Sequence, residues 1–352
     1  MRKIVGLIFT FVLAFAIVGC EESKTDVTVS TYEIAMILDI GTIEDNSFNQ
    51  GIWEGIVDYA SKNKITHKYY KTAKQSTDDY LAAIKIAVDD GAKIVVTPGF
   101  LFEEAITLAQ NLYPKVNFIL IDGHPTTTNN NTLGIKFSEE QAGYLAGYSA
   151  VIEGYTKLGF LGGIEVPAVV RYGYGFAQGA QAAAAELGIE NIDLKYHYAG
   201  GFEATPNAQA LAAFWYADDT EIIFVCAGTI GNSTMTAAQL ANKKVIGVDV
   251  DQSSQSATVI TSAMKSLAFS VQNALALYYA GNFPGGKSLI YDASSNGIGL
   301  AMDTSTFKIF TQDNYDRVFG KLAAGEITIQ NDKDVNTPNQ LPLSLVNIIF
   351  IE

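Results

Sequence analysis

Short apolar runs bounded by turn residues recur along this chain at 34–38, 94–97, 118–121, 158–161, 222–225 and 245–248. Each is too short for a helix and too uniformly apolar for a strand with one wet face. They read as parallel strands buried on both faces. The segments between them carry helix-boundary signals. Ser47 with Gln50 and Ser138 with Gln141 give capping-box patterns. Thr205 followed by Pro206 sets a cap before a proline at the first helical position, and Gly91, Gly154 and Gly281 stand where helices should stop. Strands alternating with helices predict an α/β chain built of right-handed βαβ units.

So many crossovers exceed what one compact sheet accommodates, so two doubly wound lobes are expected. The first takes 32–138 and, after the chain returns, about 262–290. The second takes 139–261 and about 291–352. The helix expected at 267–279, apolar at Leu267, Val271, Ala274, Leu275 and Tyr278, carries the chain back to the first lobe. Segment 287–302 reads as strand-rich and 312–324 as helical. The apolar end at 345–351 reads either as a final strand or as a partner surface.

The N-terminus bears on location. Arg2 and Lys3 precede an apolar run at 4–18 that ends in Gly19 and Cys20. The run falls short of the ~20 apolar residues of a comfortable membrane span and reads as an export leader. Its end resembles a bacterial lipobox, which implies cleavage after residue 19 and lipidation of Cys20, with 20–31 as a polar tether. Cys226 is the other cysteine of the chain; it reads as a small core hydrophobe, and no internal disulfide is expected. A net charge of -14 without a basic cluster argues against nucleic acid, which is bound by clustered Lys and Arg, and disfavours anionic ligands generally.

The segment 39–56 joins the end of a strand to the start of a helix, the position where open α/β sheets bind ligands. It offers Asp39, Asn46, Asn49 and the ring of Phe48, a set suited to a flat, neutral, hydrogen-bonding ligand. The competing structural readings are that Phe48 packs under its own helix against Ile52 or Trp53, and that strand-end aspartates only cap the following helices. Catalysis has little support. His67, His124 and His197 lack metal-ligand spacing, so no metal or cofactor is expected, and there is no G-x-S-x-G elbow. Asp39 with Asp122 as a hydrolytic pair lacks the aspartate cluster that a nucleoside hydrolase would want.

Five motifs in order carry a family resemblance: D-x-S-F-N at 45–49, F-S-E-E-Q-A-G-Y-L-A-G at 137–147, A-G-x-x-G at 227–231, G-V-D-V-D-Q at 247–252 and T-S-A-M-K at 261–265. Together they resemble the basic membrane protein family, lipoprotein substrate-binding subunits of ABC transporters similar to a purine nucleoside receptor. The resemblance implies a type I periplasmic binding protein: two Rossmann-like lobes, three crossings, and a hinged cleft that closes on its ligand. It implies that Phe48 and Phe202 sandwich a purine and that Asp39, with Asn49 beside it, reads the purine edge. Asp122 and Lys265 would bind the ribose, with the lysine held by Asp122 or Asp249. Gly228 would allow close backbone approach, and Asp249, or Asp251 in its place, would supply the acid of the second lobe. Lys265 is expected in a first helical turn, where a cation opposes the helix dipole. The implied partners are a purine nucleoside, ABC permease subunits and the membrane through lipidated Cys20, with the protein itself a monomer. A sugar or riboflavin on the same fold, or an adhesin or sensor role, are the alternative readings.

Overall fold

The computed structural model describes residues 31–351 except 40 and 126. Cys20 and the leader lie outside the described residues. The chain begins with β1 (Ile34–Leu38), α1 (Phe48–Asn63), β2 (His67–Lys71), α2 (Thr77–Asp89), β3 (Ile94–Pro98), α3 (Glu103–Leu112), β4 (Asn117–Ile121) and β5 (Thr132–Phe137). After α4 (Glu139–Ile152) come β6 (Lys157–Gly162), α5 (Pro167–Leu187), β7 (Ile192–Tyr198), α6 (Pro206–Ala217), β8 (Ile222–Cys226), α7 (Ile230–Ala241), β9 (Lys244–Asp249) and β10 (Val259–Lys265). The remainder is α8 (Leu267–Tyr279), β11 (Lys287–Tyr291), β12 (Ile298–Leu300), α9 (Gln312–Ala323) and β13 (Val346–Phe350).

Two sheets result, ordered β11-β5-β4-β3-β1-β2 and β12-β10-β9-β8-β6-β7-β13. Every pairing is parallel except β10 with the short β12. The central strands β1, β3 and β8 are buried at every position, as strands covered by helices on both faces must be. The apolar C-terminal stretch is a strand, paired in register with β7 from Val346 on Ile192 to Phe350 on Tyr196. The chain passes from the first sheet to the second after Phe137, returns after Lys265, and crosses again between Tyr291 and Ile298. These are two Rossmann-like, doubly wound lobes joined by three crossings.

The core follows the layers. One buried cluster lies under α2 and α3 on the outer face of the first sheet, and another under α6 and α7 on the outer face of the second. The largest cluster runs through both lobes by way of α4, α5 and α8. The packing of α4 on α5 is unusually close. A Cβ on Gly143 would fall 2.1 Å from the Tyr172 carbonyl oxygen, and one on Gly147 2.0 Å from that of Phe176. The partner helix repeats the pattern, with Gly175 against the Glu140 carbonyl and Gly179 against that of Tyr144, each 2.0 Å from a notional Cβ.

Helix starts correct part of the sequence reading. Thr205 does cap α6, accepting the Ala208 N–H at 3.1 Å. Neither expected capping box at Ser47 or Ser138 forms, since neither serine accepts a cap hydrogen bond. Before α1 the carboxylate of Asp45 takes that role, accepting the N–H groups of Ser47 at 2.9 Å, Asn49 at 2.9 Å and Gln50 at 3.0 Å. This frees the Ser47 hydroxyl for another partner. Before α4, Gln141 instead accepts from the Ala293 N–H.

Candidate functional site

The C-terminal ends of both sheets face one cavity of about 580 Å³ between the lobes, within the ~300–1,000 Å³ range of small-molecule sites. β1 delivers Asp39 to it, β3 Pro98 and Gly99, and β4 Asp122; from the other side β8 delivers Gly228, β9 Asp249 and β10 Lys265. Asp122 and Asp249 both leave their strands in the left-handed region, at φ 58° and 68°.

Asp39 sits at the cavity wall and accepts the Gly41 N–H at 3.0 Å. Asn49 is buried beside it, and its amide fills the space over Gly41, where a Cβ would come within 2.3 Å of Nδ2. Phe48 opens α1, half-buried and lining the cavity. Trp53, one residue of the expected staple, packs instead on His67 and Tyr69. Phe202 lines the cavity from the β7–α6 loop of the opposite lobe. Two glycines make room for it. A Cβ on Gly163 would lie 2.3 Å from the Phe202 ring, and one on Gly228, which stands at φ 54°, would lie 3.1 Å from the Phe202 carbonyl oxygen. Thr229 then donates its hydroxyl to that carbonyl at 3.0 Å.

Lys265 is the last residue of β10, not the first turn of a helix as the sequence suggests. Its ammonium contacts Asp122, lies 3.3 Å from Glu139 Oε1 and 3.7 Å from Asp249 Oδ1. The rings of Phe48, Tyr172 and Phe137 surround it, with centroids 5.0, 5.3 and 5.5 Å from Nζ. All four charged groups are buried. Burial pushes the Asp122 carboxyl up to about 7, against the pull of Lys265 and with the push of Glu139. Burial likewise raises Asp249. Lys265 itself is held above its ordinary value because the three carboxylates outweigh its own burial. One ammonium shared among Asp122, Asp249 and Glu139 does not fully offset the burial of Asp122 and Asp249, and the desolvation cost shows on those two carboxylates.

Asp249 carries a further contact, accepting the freed Ser47 hydroxyl at 2.7 Å. This bond links the lobes, as do the Gln252 and Gln255 amides donating to the Asn46 carbonyl at 2.8 and 3.2 Å. Asp251 is a correction. It does not line the cavity; it accepts the Ser253 N–H at 2.9 Å and borders a separate shallow depression with Thr304 and Tyr315. The strand ends at Asp249, where the backbone turns into the left-handed region at φ 68°, and the two acids part there.

Sequence reasoning passed over Glu139, Asp45 and Ser47. Glu139 stands in the F-S-E-E-Q motif, but an acid in a first helical turn is expected for the dipole alone, which hid its contact with Lys265. Ser47 read only as half of a capping box, and Asp45 only as the first residue of a motif. Acids outnumber bases in the lining: Asp39, Asp45, Asp122, Glu203 and Asp249 against Lys71 and Lys265. That balance suits a neutral, hydroxyl-rich ligand and opposes phosphate. Among the described residues there is no cluster able to hold a metal ion, and no helix long and apolar enough to cross a membrane.

Comparison with known proteins agrees with this architecture. Residues 32–333 match the Bmp family, described as ABC transporter substrate-binding protein PnrA-like. The chain is 27% identical to the ABC transporter nucleoside-binding protein BmpA of Lactococcus lactis subsp. cremoris, across 94% of this chain and 99% of that one. It is 26% identical to basic membrane protein A of Borreliella burgdorferi, across 95% and 97%. Among solved structures, an ABC transporter solute-binding protein of Aeropyrum pernix K1 superposes with a TM-score of 0.78 at 19% identity, covering 88% of this chain and 95% of that one. The fold is that of a type I periplasmic solute-binding protein. The chain belongs to the Bmp family and is a non-enzymatic, extracytoplasmic substrate-binding subunit of an ABC transporter.

Proposed function

We propose that the substrate is a purine nucleoside, held between the lobes with its base between Phe48 and Phe202. The observation that carries this reading is the placement of one aromatic ring from each lobe on the wall of a single cavity. Stacking on one ring is worth roughly 1–3 kcal/mol in single-strand nucleic-acid binders, and a micromolar complex needs about 8 kcal/mol. Two rings would therefore supply a large share. In this reading Asp39 and the Asn49 amide read the base edge, since an amide both donates and accepts. Asp122, Asp249 and Lys265 would take the ribose hydroxyls, a role supported by Asp122 Oδ1, a buried acceptor with no hydrogen-bond donor among the described residues. Gly228 leaves its backbone open to the ligand. The acidic lining favours a nucleoside over a nucleotide, and the name of the Lactococcus relative points the same way.

In this reading the protein is anchored through lipidated Cys20, acts as a monomer and hands its nucleoside to permease subunits. No chemistry on the ligand is required, only closure of two lobes around it. Isothermal calorimetry of the purified protein should give saturating heats with inosine, guanosine or adenosine at micromolar or tighter affinity, and none with 5′-phosphates. Saturation by ribose alone, with no heat from nucleosides, would sink the purine assignment.

A further inference from the structure

The Lys265 cluster does not end at the cavity wall. Glu139 is absent from the lining, is fully buried, and has its two oxygens turned to different cations. Oε1 faces Lys265, and Oε2 accepts from Arg171 Nη1 at 3.3 Å. Arg171 in turn is forked onto Asp332, through Nε at 2.6 Å and Nη2 at 3.2 Å. Neighbouring residues fasten the same C-terminal segment to the helix pair. Gln178 and Gln330 exchange two hydrogen bonds at 2.8 and 2.9 Å, and Asn331 donates to Glu140 at 3.3 Å. Glu139 begins α4 and Arg171 lies in the first turns of α5. Those are the two helices whose backbones meet through glycines, so neither residue can drift relative to the other.

We propose that Glu139 is a positioning residue for Lys265, and that Asp332, acting through Arg171, sets how firmly the lysine is held and hence the affinity of the cavity for its ligand. The reasoning is one of competition for a single carboxylate. With Asp332 in place, the Arg171 charge is satisfied by a bidentate partner, and Glu139 keeps most of its negative potential for Lys265. Remove the Asp332 charge, and the guanidinium turns its full attraction onto Glu139, which then holds the ammonium less. This matters when ligand enters. Ligand hydroxyls would draw Asp122 and Asp249 away from Lys265 as acceptors, leaving Glu139 as the acid no ligand can reach and the fixed counter-charge of the ammonium. Partners one layer behind a ligating group commonly matter by about ten- to a hundredfold at metal sites.

The ligand half of this proposal rests on the nucleoside reading; the positioning half does not, and the test separates them. In ligand-free protein, the 15N signal of the Lys265 ammonium, assigned by its loss in Lys265→Met, should shift or broaden in Asp332→Asn and in Arg171→Lys and return in Asp332→Glu. A signal unmoved in both variants overturns the proposal whatever the ligand is. With inosine as the probe, Asp332→Asn should bind about tenfold more weakly, the low end of that outer-layer range, and Asp332→Glu should recover the loss, while melting temperatures stay close to wild type. Equal inosine affinity in wild type and Asp332→Asn also overturns it. If wild type takes no inosine, the nucleoside reading fails and the spectra of the ligand-free variants decide the positioning role on their own. The Arg171→Lys variant keeps the charge but not the fork, so it reports on geometry where Asp332→Asn reports on charge.

Discussion

Phe48 sits where a staple residue would sit, yet its ring borders the cavity and lies 5.0 Å from the Lys265 ammonium. Because it is only partly buried against the core, truncation removes less core contact than at a fully buried ring. Phe48→Ala should weaken inosine binding by about 1–3 kcal/mol with the melting temperature of the ligand-free protein nearly unchanged; a large drop in that temperature would instead return Phe48 to the staple role. At this scale the acids were the legible part. Asp39, Asp122 and Asp249 end apolar runs, and a strand end in this fold points at the ligand crevice. Asp251 against Asp249 was not legible, since two residues of one motif part company only when the backbone turns, here at φ 68° on Asp249. Nor was Glu139, because a helix-dipole explanation accounts for it in one dimension and its partner Lys265 lies 126 positions further along the chain, at the end of β10.

Helices α4 and α5 are joined by four glycines whose missing side chains admit the partner's backbone. A methyl group has nowhere to go at such a contact, because the opposing atoms are carbonyls of a rigid helix and not the tip of a flexible side chain. Gly147→Ala should cost at least the ~1–3 kcal/mol of ordinary overpacking, read as a lower urea midpoint with an unchanged slope. An unchanged midpoint would mean the helices can separate without penalty. The sequence showed central strands well because they are apolar on both faces. It showed β2, β5 and β7 poorly. His67–Lys71 is an edge strand with polar residues on its exposed side, and β7 alternates through Asp193, Lys195 and His197. The capping boxes failed for a local reason: Asp45 reaches three backbone N–H groups first, which no spacing rule for Ser47 and Gln50 anticipates.

Across the whole molecule, buried acids set the response to pH. Burial pushes Asp122 and Glu140 up to about 7 and Asp45 up to about 6, from ordinary values of 3.8 and 4.5. An acid raised in the folded state binds its proton more tightly there than in the unfolded chain. Its contribution is whole below the ordinary value and is lost as pH rises through the folded one. The ligand-free protein should therefore melt at a higher temperature at pH 6.5 than at pH 8, a trend that a thermal scan across those buffers checks directly. Acids held low by partners, such as Asp90 and Glu186, lose their contribution only in far more acidic buffer and do not enter this window. His124, lowered by burial, opposes the trend only as pH falls through its own range, which is why 6.5 is the lower limit of the comparison.

The interleaving of the lobes has a consequence for synthesis. The first sheet receives its edge strand β11 only at Lys287–Tyr291, and the second receives β13 only at Val346–Phe350. Neither lobe is a contiguous stretch of chain, so a growing polypeptide holds no complete lobe until residue 291 has emerged, and the second waits until nearly the last residue. A chain bound for the far side of a membrane must stay threadable until it has crossed, and here that delay is written into the order of the strands.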